Sequence, residues 1–305
     1  MKRMVIVYSP RSTRFAEVQR KVVEPARKLK GWMICKFEVE EAPVRENAAR
    51  LAAILRKDDL VLSAGGDGTA AMCLNAIVES GTLATLAVMP FGNFNDYAES
   101  LGRMSLARIV RKFEEGRYKD FYPMEVKVNG KHYIYSGMYF TMGLMAEAER
   151  IFKKLKVRKK LAKARNRMSF SARKLFGWYV RNKRRKDFLP ATMKVNDENV
   201  VKTTTDYVAM NGKSMAGVVP GEGWFDNATE FWSGTMRNRS LARMFVKFVK
   251  ATEGELPGRL TTRDVLEFPE ASSVFVHAEG EGEQLQGVKK VEISKPDKSL
   301  RVICS

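Results

Sequence analysis

The sequence predicts an α/β protein in two parts, an N-terminal Rossmann-like parallel sheet covered by helices and then a mainly antiparallel β-sandwich. Two observations predict it. From Met4 to about Tyr118, short apolar runs alternate with longer stretches of helical periodicity, the pattern of a parallel sheet with crossover helices on both faces. Past Tyr122 the segments become short, rich in β-formers and separated by polar turns, which suits an antiparallel sandwich. The expected boundaries are 1–120 for the first part, with a last strand at about 298–305 returning to it, and 121–297 for the second. A basic helical insertion at about 146–187 interrupts the second part.

In the first part, Met4-Val5-Ile6-Val7-Tyr8 reads as a strand that stops at Ser9-Pro10. A helix over about 14–29, a strand over 32–38 and a helix over 44–56 follow. The strand at 59–63, with Leu60-Val61-Leu62 as its apolar centre, reads as buried and runs into Gly65-Gly66-Asp67-Gly68-Thr69. A helix over 69–79, a strand over 86–89, a loop holding Asn95-Asp96 and a helix over 104–115 complete the alternation. In the second part the expected strands are Phe121 to Val128, His132 to Thr141, Ala191 to Val195, Thr204 to Met210, Ala228 to Trp232, Arg259 to Phe268, Ser273 to Ala278 and Val288 to Ile293. Leu300 to Ile303 is the strand expected to return, and Arg239 to Thr252 reads as helical.

The chain has 305 residues, with 54 Lys and Arg against 35 Asp and Glu, a formal net charge of +19. The excess is concentrated. Between Lys153 and Lys186 there are 16 Lys or Arg and no Asp or Glu, interleaved with Phe152, Leu155, Leu161, Phe170, Leu175, Phe176, Trp178 and Tyr179 at spacings that suit helix faces. One reading is a set of solvated helices packed by their apolar sides. The other is a peripheral arm for an anionic bilayer, with Arg158, Lys159, Lys160 and Trp178 as its contacts. Nucleic acid is set aside, because no recognised nucleic-acid motif accompanies the charge. Cys35, Cys73 and Cys304 are odd in number and far apart, with no disulfide or metal spacing, so a reducing cytosol is expected. Met1-Lys2-Arg3 is followed by too short an apolar run for a signal peptide, and no run reaches the roughly eighteen residues of a membrane span. His132 and His277 both fall in expected strands, where a packed or surface histidine is the simpler account.

Chemistry gathers at one end of the first sheet. A buried strand that ends in a glycine turn and opens into a helix aims backbone N–H groups at one point, and the missing β-carbons let an anion approach. Asp67 inside that turn makes sense beside a divalent cation, and the Thr69 hydroxyl adds a donor for a phosphate oxygen. Ser9, Gly65 to Thr69 and Gly92 to Asn95 all fall at the carboxyl ends of expected strands, where open α/β sheets take their ligands. The residues read as nucleotide plus metal, with phosphoryl transfer as the chemistry.

The motifs resemble a known family. Gly65-Gly66-Asp67-Gly68-Thr69, with Pro90-Phe91-Gly92-Asn93-Phe94-Asn95-Asp96 behind it, is similar to the catalytic domain shared by diacylglycerol kinases, sphingosine and ceramide kinases and bacterial lipid kinases. Tyr8-Ser9-Pro10-Arg11-Ser12 takes the place of the family's first turn. Ala209 to Asp226 resembles its Asn-Gly and Asp-Gly-x-x-Asp segment, and Ala278-Glu279-Gly280-Glu281 its Asp-Gly-Glu turn. The departures are Ala70-Ala71-Met72 where Leu-Asn-Glu is usual, Phe91 and Phe94 around Gly92, Glu279 for an aspartate and Glu222 for a metal-coordinating aspartate.

The resemblance implies an ATP- and Mg2+-dependent lipid kinase that transfers the γ-phosphate to a lipid hydroxyl such as that of diacylglycerol. It implies nucleotide contacts from Ser9, Arg11, Ser12, Gly65, Gly66, Asp67, Gly68, Thr69, Gly92 and Asn95, with Asp67 also at the reacting centre. Glu281 becomes the proton acceptor, with Glu283 as the alternative register, and Glu222 and Asp226 join Asp67 as magnesium ligands, the first two at a second, structural site. The lipid substrate and an anionic membrane surface are the implied partners, a homodimer being left open, and the expected place is the cytoplasm, at the inner face of the membrane. Two alternatives stand beside it: an enzyme like the NAD kinases, which share the GGDGT turn, and a non-catalytic lipid-binding or regulatory member of the same family.

Overall fold

The computed structural model describes residues 1–92, 95–143, 146, 173–174, 177, 191–195, 198–204, 206–215, 219–236, 258–278 and 281–305. Arg158, Lys159, Lys160 and Trp178, the expected membrane contacts, and the expected helix at Arg239 to Thr252 lie outside the described residues.

The first sheet has six strands in the order β2-β1-β3-β4-β18-β5: β1 (Lys2–Tyr8), β2 (Trp32–Glu38), β3 (Leu60–Gly65), β4 (Thr85–Pro90), β5 (Lys119–Phe121) and β18 (Leu300–Val302). Neighbours are parallel from β2 through β18, and only β5 runs against its partner. The period-2 alternation of the strands sorts two cores. Met4, Ile6, Leu60, Leu62, Ala87 and Met89 pack with Val18, Val22 and Val23 and with Ile109 and Val110 on one face. Val5, Val7, Val61, Leu86 and Val88 pack on the other with helices α3 (Val44–Ala52) and α4 (Asp67–Ser80). Every residue of α4 from Ala70 to Val78 is buried, because a helix trapped between two sheets needs apolar or small side chains all round.

Helix α1 (Phe15–Val18) continues through a π turn, Gln19–Val23, into α2 (Glu24–Ala26). Pro25 supplies a reason for the wider turn. It has no N–H, and its ring would crowd the Lys21 carbonyl in a regular helix. Helix α6 (Leu106–Glu114) begins at Ser105, whose hydroxyl accepts from the Arg108 amide at 3.4 Å. One expectation is corrected here. Asp96 to Leu101, read from the sequence as loop, is helix α5.

The second sheet is antiparallel throughout, in the order β15-β14-β11-β8-β16-β17-β6-β7, with β9 (Ala191–Val195) pairing both β10 (Glu198–Thr204) and β16. Its other strands are β6 (Met124–Val128), β7 (Lys131–Ser136), β8 (Tyr139–Gly143), β11 (Asp206–Met210), β14 (Phe231–Met236) and β15 (Arg259–Thr261), plus the long pair β16 (Arg263–Ala278) and β17 (Glu281–Ser294). This long pair carries the sheet through register shifts between Glu267 and Val274. Such bulges let strands bend from one layer into the next. Side chains from both halves, among them Val126, Ile134, Leu266, Val276 and Phe231, share one cluster with the α4 face of the first sheet. The α/β class, with a parallel first sheet and an antiparallel second, is as the sequence predicts.

The sheets meet at α4. The buried Asn75 side chain donates to the Tyr135 carbonyl and accepts from the Tyr135 amide, both at 2.8 Å, so it completes the free edge of β7 as a neighbouring strand would.

Candidate active site

The first sheet reverses its winding between β1 and β3, since β2 lies to one side of β1 and β3 to the other. A crevice therefore opens at the carboxyl ends of these strands. Gly65 ends β3 beside Pro90 at the end of β4, and the Phe91 amide donates to the Gly65 carbonyl at 2.8 Å, which carries the pairing into the two turns. The turns then touch through glycines. A β-carbon on Gly66 would stand 3.1 Å from the Gly92 α-carbon, and one on Gly92 would strike Gly66 backbone. Only glycine at both positions permits this approach.

Asp67 is the first residue of α4 and fastens the second turn. One carboxylate oxygen accepts from the Asn95 amide at 2.9 Å and the other from the Tyr97 amide at 3.2 Å. These are N–H groups that the start of α5 would otherwise leave without partners, so Asp67 caps α5 from a distant part of the chain. That external cap explains why α5 escaped the sequence reading: the signal for its start lies 28 residues upstream. Desolvation pushes the Asp67 carboxyl up from its ordinary range, while the Tyr97 and Asn95 amides pull it down.

Asn95 sits in the left-handed region at φ 62°. Asparagine tolerates that conformation better than most residues, and here its side chain closes the turn in both directions, accepting from the Gly92 amide at 2.7 Å and donating to the Gly92 carbonyl at 3.0 Å. The expected nucleotide contact thus uses its side chain to shape the turn. Asn93 and Phe94 lie outside the described residues.

At the first turn, the Ser12 amide donates to the Ser9 carbonyl at 3.1 Å, and the Ser12 hydroxyl accepts from the Arg14 amide at 3.2 Å. Arg11 turns towards the end of β2, where its guanidinium pairs with Glu41 at 2.6 Å on the rim of an open groove lined by Phe37 to Glu41. The sequence reading missed Arg14. Its guanidinium donates to the Pro90 carbonyl at 3.3 Å and stands 5.3 Å from the Phe91 ring centre, which places a cation between the first and second turns. No pattern in the sequence signals this, because Arg14 meets Phe91 only through the order of the strands.

The reading also left Asp96 without a role. It is fully buried and accepts from the Ser214 hydroxyl, while the Lys213 amide donates to the Ser100 hydroxyl at 2.9 Å. The segment after β11 is thereby tied to α5 directly behind the phosphate turn. The same segment ends in a buried cation. Lys295, the residue after β17, donates to Asn211 Oδ1 at 2.6 Å and to the carbonyls of Tyr122, Asn227 and Trp224 at 2.8, 2.9 and 3.0 Å. Burial lowers its pKa to about 7, while the charge of the nearby Asp226 carboxylate opposes the shift.

Glu222 and Asp226 are exposed. Among the described residues no group of three or more His, Cys, Asp or Glu is gathered as a metal site. Glu281 opens β17 opposite Ala278, but its side chain and residues 279 and 280 lie outside the description. Glu283 is engaged elsewhere, receiving the Tyr133 hydroxyl at 2.8 Å and pairing with Arg45 at 3.1 Å. Both histidines lie in strands, His132 exposed beside Glu125 and Tyr135, and His277 buried beside Tyr139. No helix among the described residues is long and apolar enough to cross a membrane, which leaves β-barrel spans unaddressed.

Residues 3–122, which carry both turns, match the family model described as the diacylglycerol kinase catalytic domain. Over these residues the chain is similar to that catalytic domain. A relative described as diacylglycerol kinase, from Bacillus subtilis strain 168, is 32% identical over 139 residues, a stretch that covers 44% of this chain and 44% of the relative. The match thus spans less than half of either protein. A crystal structure of a candidate diacylglycerol kinase from Bacillus anthracis strain Sterne superposes with a TM-score of 0.68 at 18% identity, covering 100% of this chain and 95% of that one. A second crystal structure, of a diacylglycerol kinase from the same organism, gives 0.64 at 18% identity over 100% and 97%. At that identity the likeness establishes the fold alone, which this chain shares over its whole length.

Proposed function

We propose that this protein is a member of the diacylglycerol kinase family, an ATP- and Mg2+-dependent lipid kinase that phosphorylates a lipid hydroxyl such as that of diacylglycerol. The observation that carries the reading is the contact of the two turns through Gly66 and Gly92. Side chains there would force the turns apart, and their absence lets the two turns form one backbone cradle at the N-terminus of α4, where an anion is favoured. The cradle fits phosphates. Gly65, Gly66, Gly68, Thr69 and Gly92 would face them, with Ser9, Arg11 and Ser12 at the neighbouring turn, Asn95 shaping the second turn and Arg14 contributing charge.

A carboxylate beside an anion cradle fits a magnesium-phosphate pair better than phosphate alone, and Asp67 has acceptor capacity beyond its two amide bonds. Magnesium, when bound, would offset the charge that builds on the phosphoryl oxygens. Glu281 would receive the proton of the lipid hydroxyl, and its fixed charge would keep that hydroxyl oriented. Two domains, divided near residue 120 with the last strand returned to the first, would give the lipid its cleft. The basic stretch around Arg158 to Lys160, with Trp178, would hold the enzyme on an anionic membrane from the cytoplasmic side.

The decisive test is incubation with labelled ATP and a total lipid extract, with mass identification of the product and NAD as a parallel acceptor. Labelled lipid is the expected result. Phosphorylation of NAD alone, or ATP binding without turnover on any lipid, would overturn the proposal.

A further inference from the structure

Tyr122, Asn211, Trp224, Asn227 and Lys295 come from five separate points in the chain and converge on one atom. Four oxygens surround Lys295 Nζ at 2.6 to 3.0 Å: three backbone carbonyls and one side-chain amide carbonyl. An ammonium has three N–H bonds, so four acceptors form a shell around a charge and exceed a set of three hydrogen bonds. Neutral oxygens gathered in this way are the ligand chemistry of hard cations.

The same stretch is where the family resemblance expects a structural magnesium ion, held by Glu222, Asp226 and backbone carbonyls. The residues do not fit one. The carbonyl oxygens are already directed at Nζ, at separations longer than the roughly 2.0–2.6 Å of magnesium or calcium ligation. Neither carboxylate is among the four oxygens; both are exposed, and Asp226 acts on Lys295 only through its charge. A divalent ion entering the same oxygens would meet an ammonium at its centre, and like charges in a buried site repel strongly.

We infer that Lys295 is a built-in cation, which takes the place of a bound metal in this segment and positions the loop that reaches the active site. The path is continuous. Asn211 receives Lys295 through its carbonyl oxygen and uses its amide nitrogen on the carbonyls of Tyr122 at 3.0 Å and Gly137 at 2.8 Å. Three residues on, Ser214 holds Asp96 and the Lys213 amide holds Ser100. Charge anchored at the end of β17 thus fixes the β11 exit against α5, whose N-terminus Asp67 caps. Lys295 touches neither turn, so it acts as a positioning residue. The inference concerns a structural cation and stands whether or not the kinase proposal does.

The experiment uses the full chain without nucleotide. Manganese binding is measured by electron paramagnetic resonance on the parent and on a Glu222→Gln/Asp226→Asn double variant, and the parent is melted with a chelator and with millimolar magnesium. Equal manganese binding by the two proteins and a melting midpoint that ignores both additions are expected. A manganese ion held by the parent and lost in the double variant, or a midpoint that falls on chelation, would overturn the inference. In a second arm Lys295→Ala is melted with and without methylammonium. The expected midpoint lies several degrees below the parent and rises again with methylammonium, whose charge refills the shell. A Lys295→Ala midpoint equal to that of the parent would also overturn the inference, and a variant that fails to fold leaves the decision to the manganese arm.

Discussion

The two turns at the carboxyl edge of the first sheet and the Asn211 to Asn227 segment at the sheet junction are both built around charge, with opposite polarity and opposite outcomes. The turns touch backbone to backbone through Gly66 and Gly92 at the N-terminal, positive end of α4. The segment gathers carbonyl oxygens around an ammonium that already fills them. In the proposed function the first arrangement is completed by an anion. The second is complete in the folded chain. A cluster of polar groups is therefore a binding site only where the protein leaves part of the shell unfilled, and otherwise it is a fastening.

The comparison breaks most readily at Asp67. Asp67→Ala removes a negative charge from the reacting end and the cap of α5 together, so lipid phosphorylation should fall by orders of magnitude, with about 1–2 kcal/mol of stability lost with the cap. Initial rates and urea melts of the same preparation check it. Near-normal turnover in the folded variant would remove Asp67 from the mechanism. Asp67→Asn sharpens the result, because an amide oxygen can keep one of the two caps while the charge is gone.

Glu281→Gln should abolish lipid phosphorylation and leave ATP binding in place, whereas Glu283→Gln should be mild, since Glu283 already serves Tyr133 and Arg45. Calorimetry of ATP binding beside the lipid assay separates the two. An inactive Glu283→Gln with an active Glu281→Gln would move the proton acceptor by two residues.

Gly92→Ala tests the open shell directly. The added methyl would meet Gly66 backbone, so the cradle must widen, and a cost of roughly 1–3 kcal/mol with at least a tenfold rise in the KM for ATP is expected. An unchanged KM would show that the contact between the turns does not shape the nucleotide site. On the closed shell, Lys295→Met should cost about 3 kcal/mol, because it strands buried carbonyls while nearly keeping the volume, and it should raise the lipid KM less than it lowers the melting midpoint. The smallest effect belongs to the Arg45 and Glu283 pair. Both are half-exposed, and solvent screening should hold Arg45→Ala within about 1 kcal/mol in a urea melt.

Charge reversal at Arg158, Lys159 and Lys160 extends the test to the membrane. Basic residues near an anionic surface contribute on the order of 1 kcal/mol each, so the triple reversal should weaken binding to anionic vesicles by more than tenfold. Equal binding to neutral vesicles in a sedimentation assay would return the segment to solvated helices.

Much of this protein could be read directly from its residues. Alternating apolar runs with glycine punctuation specified the parallel sheet, and the bounds of β2 and β9 are those expected, because strand period and turn chemistry are local properties. The phosphate turn was legible for the same reason: Gly65 to Thr69 are consecutive. Long-range contacts decided the rest. Helix α5 starts where Asp67 caps it, Arg14 reaches Phe91 across the strand order, Asn75 stands in for a strand beside β7, and Lys295 finds its oxygens at four other places in the chain. Each partner is tens of residues or more away, so no window of the sequence contains the interaction. Propensity and pattern act between neighbours, whereas charge and hydrogen-bond satisfaction act on whatever the packed chain brings within about 3 Å.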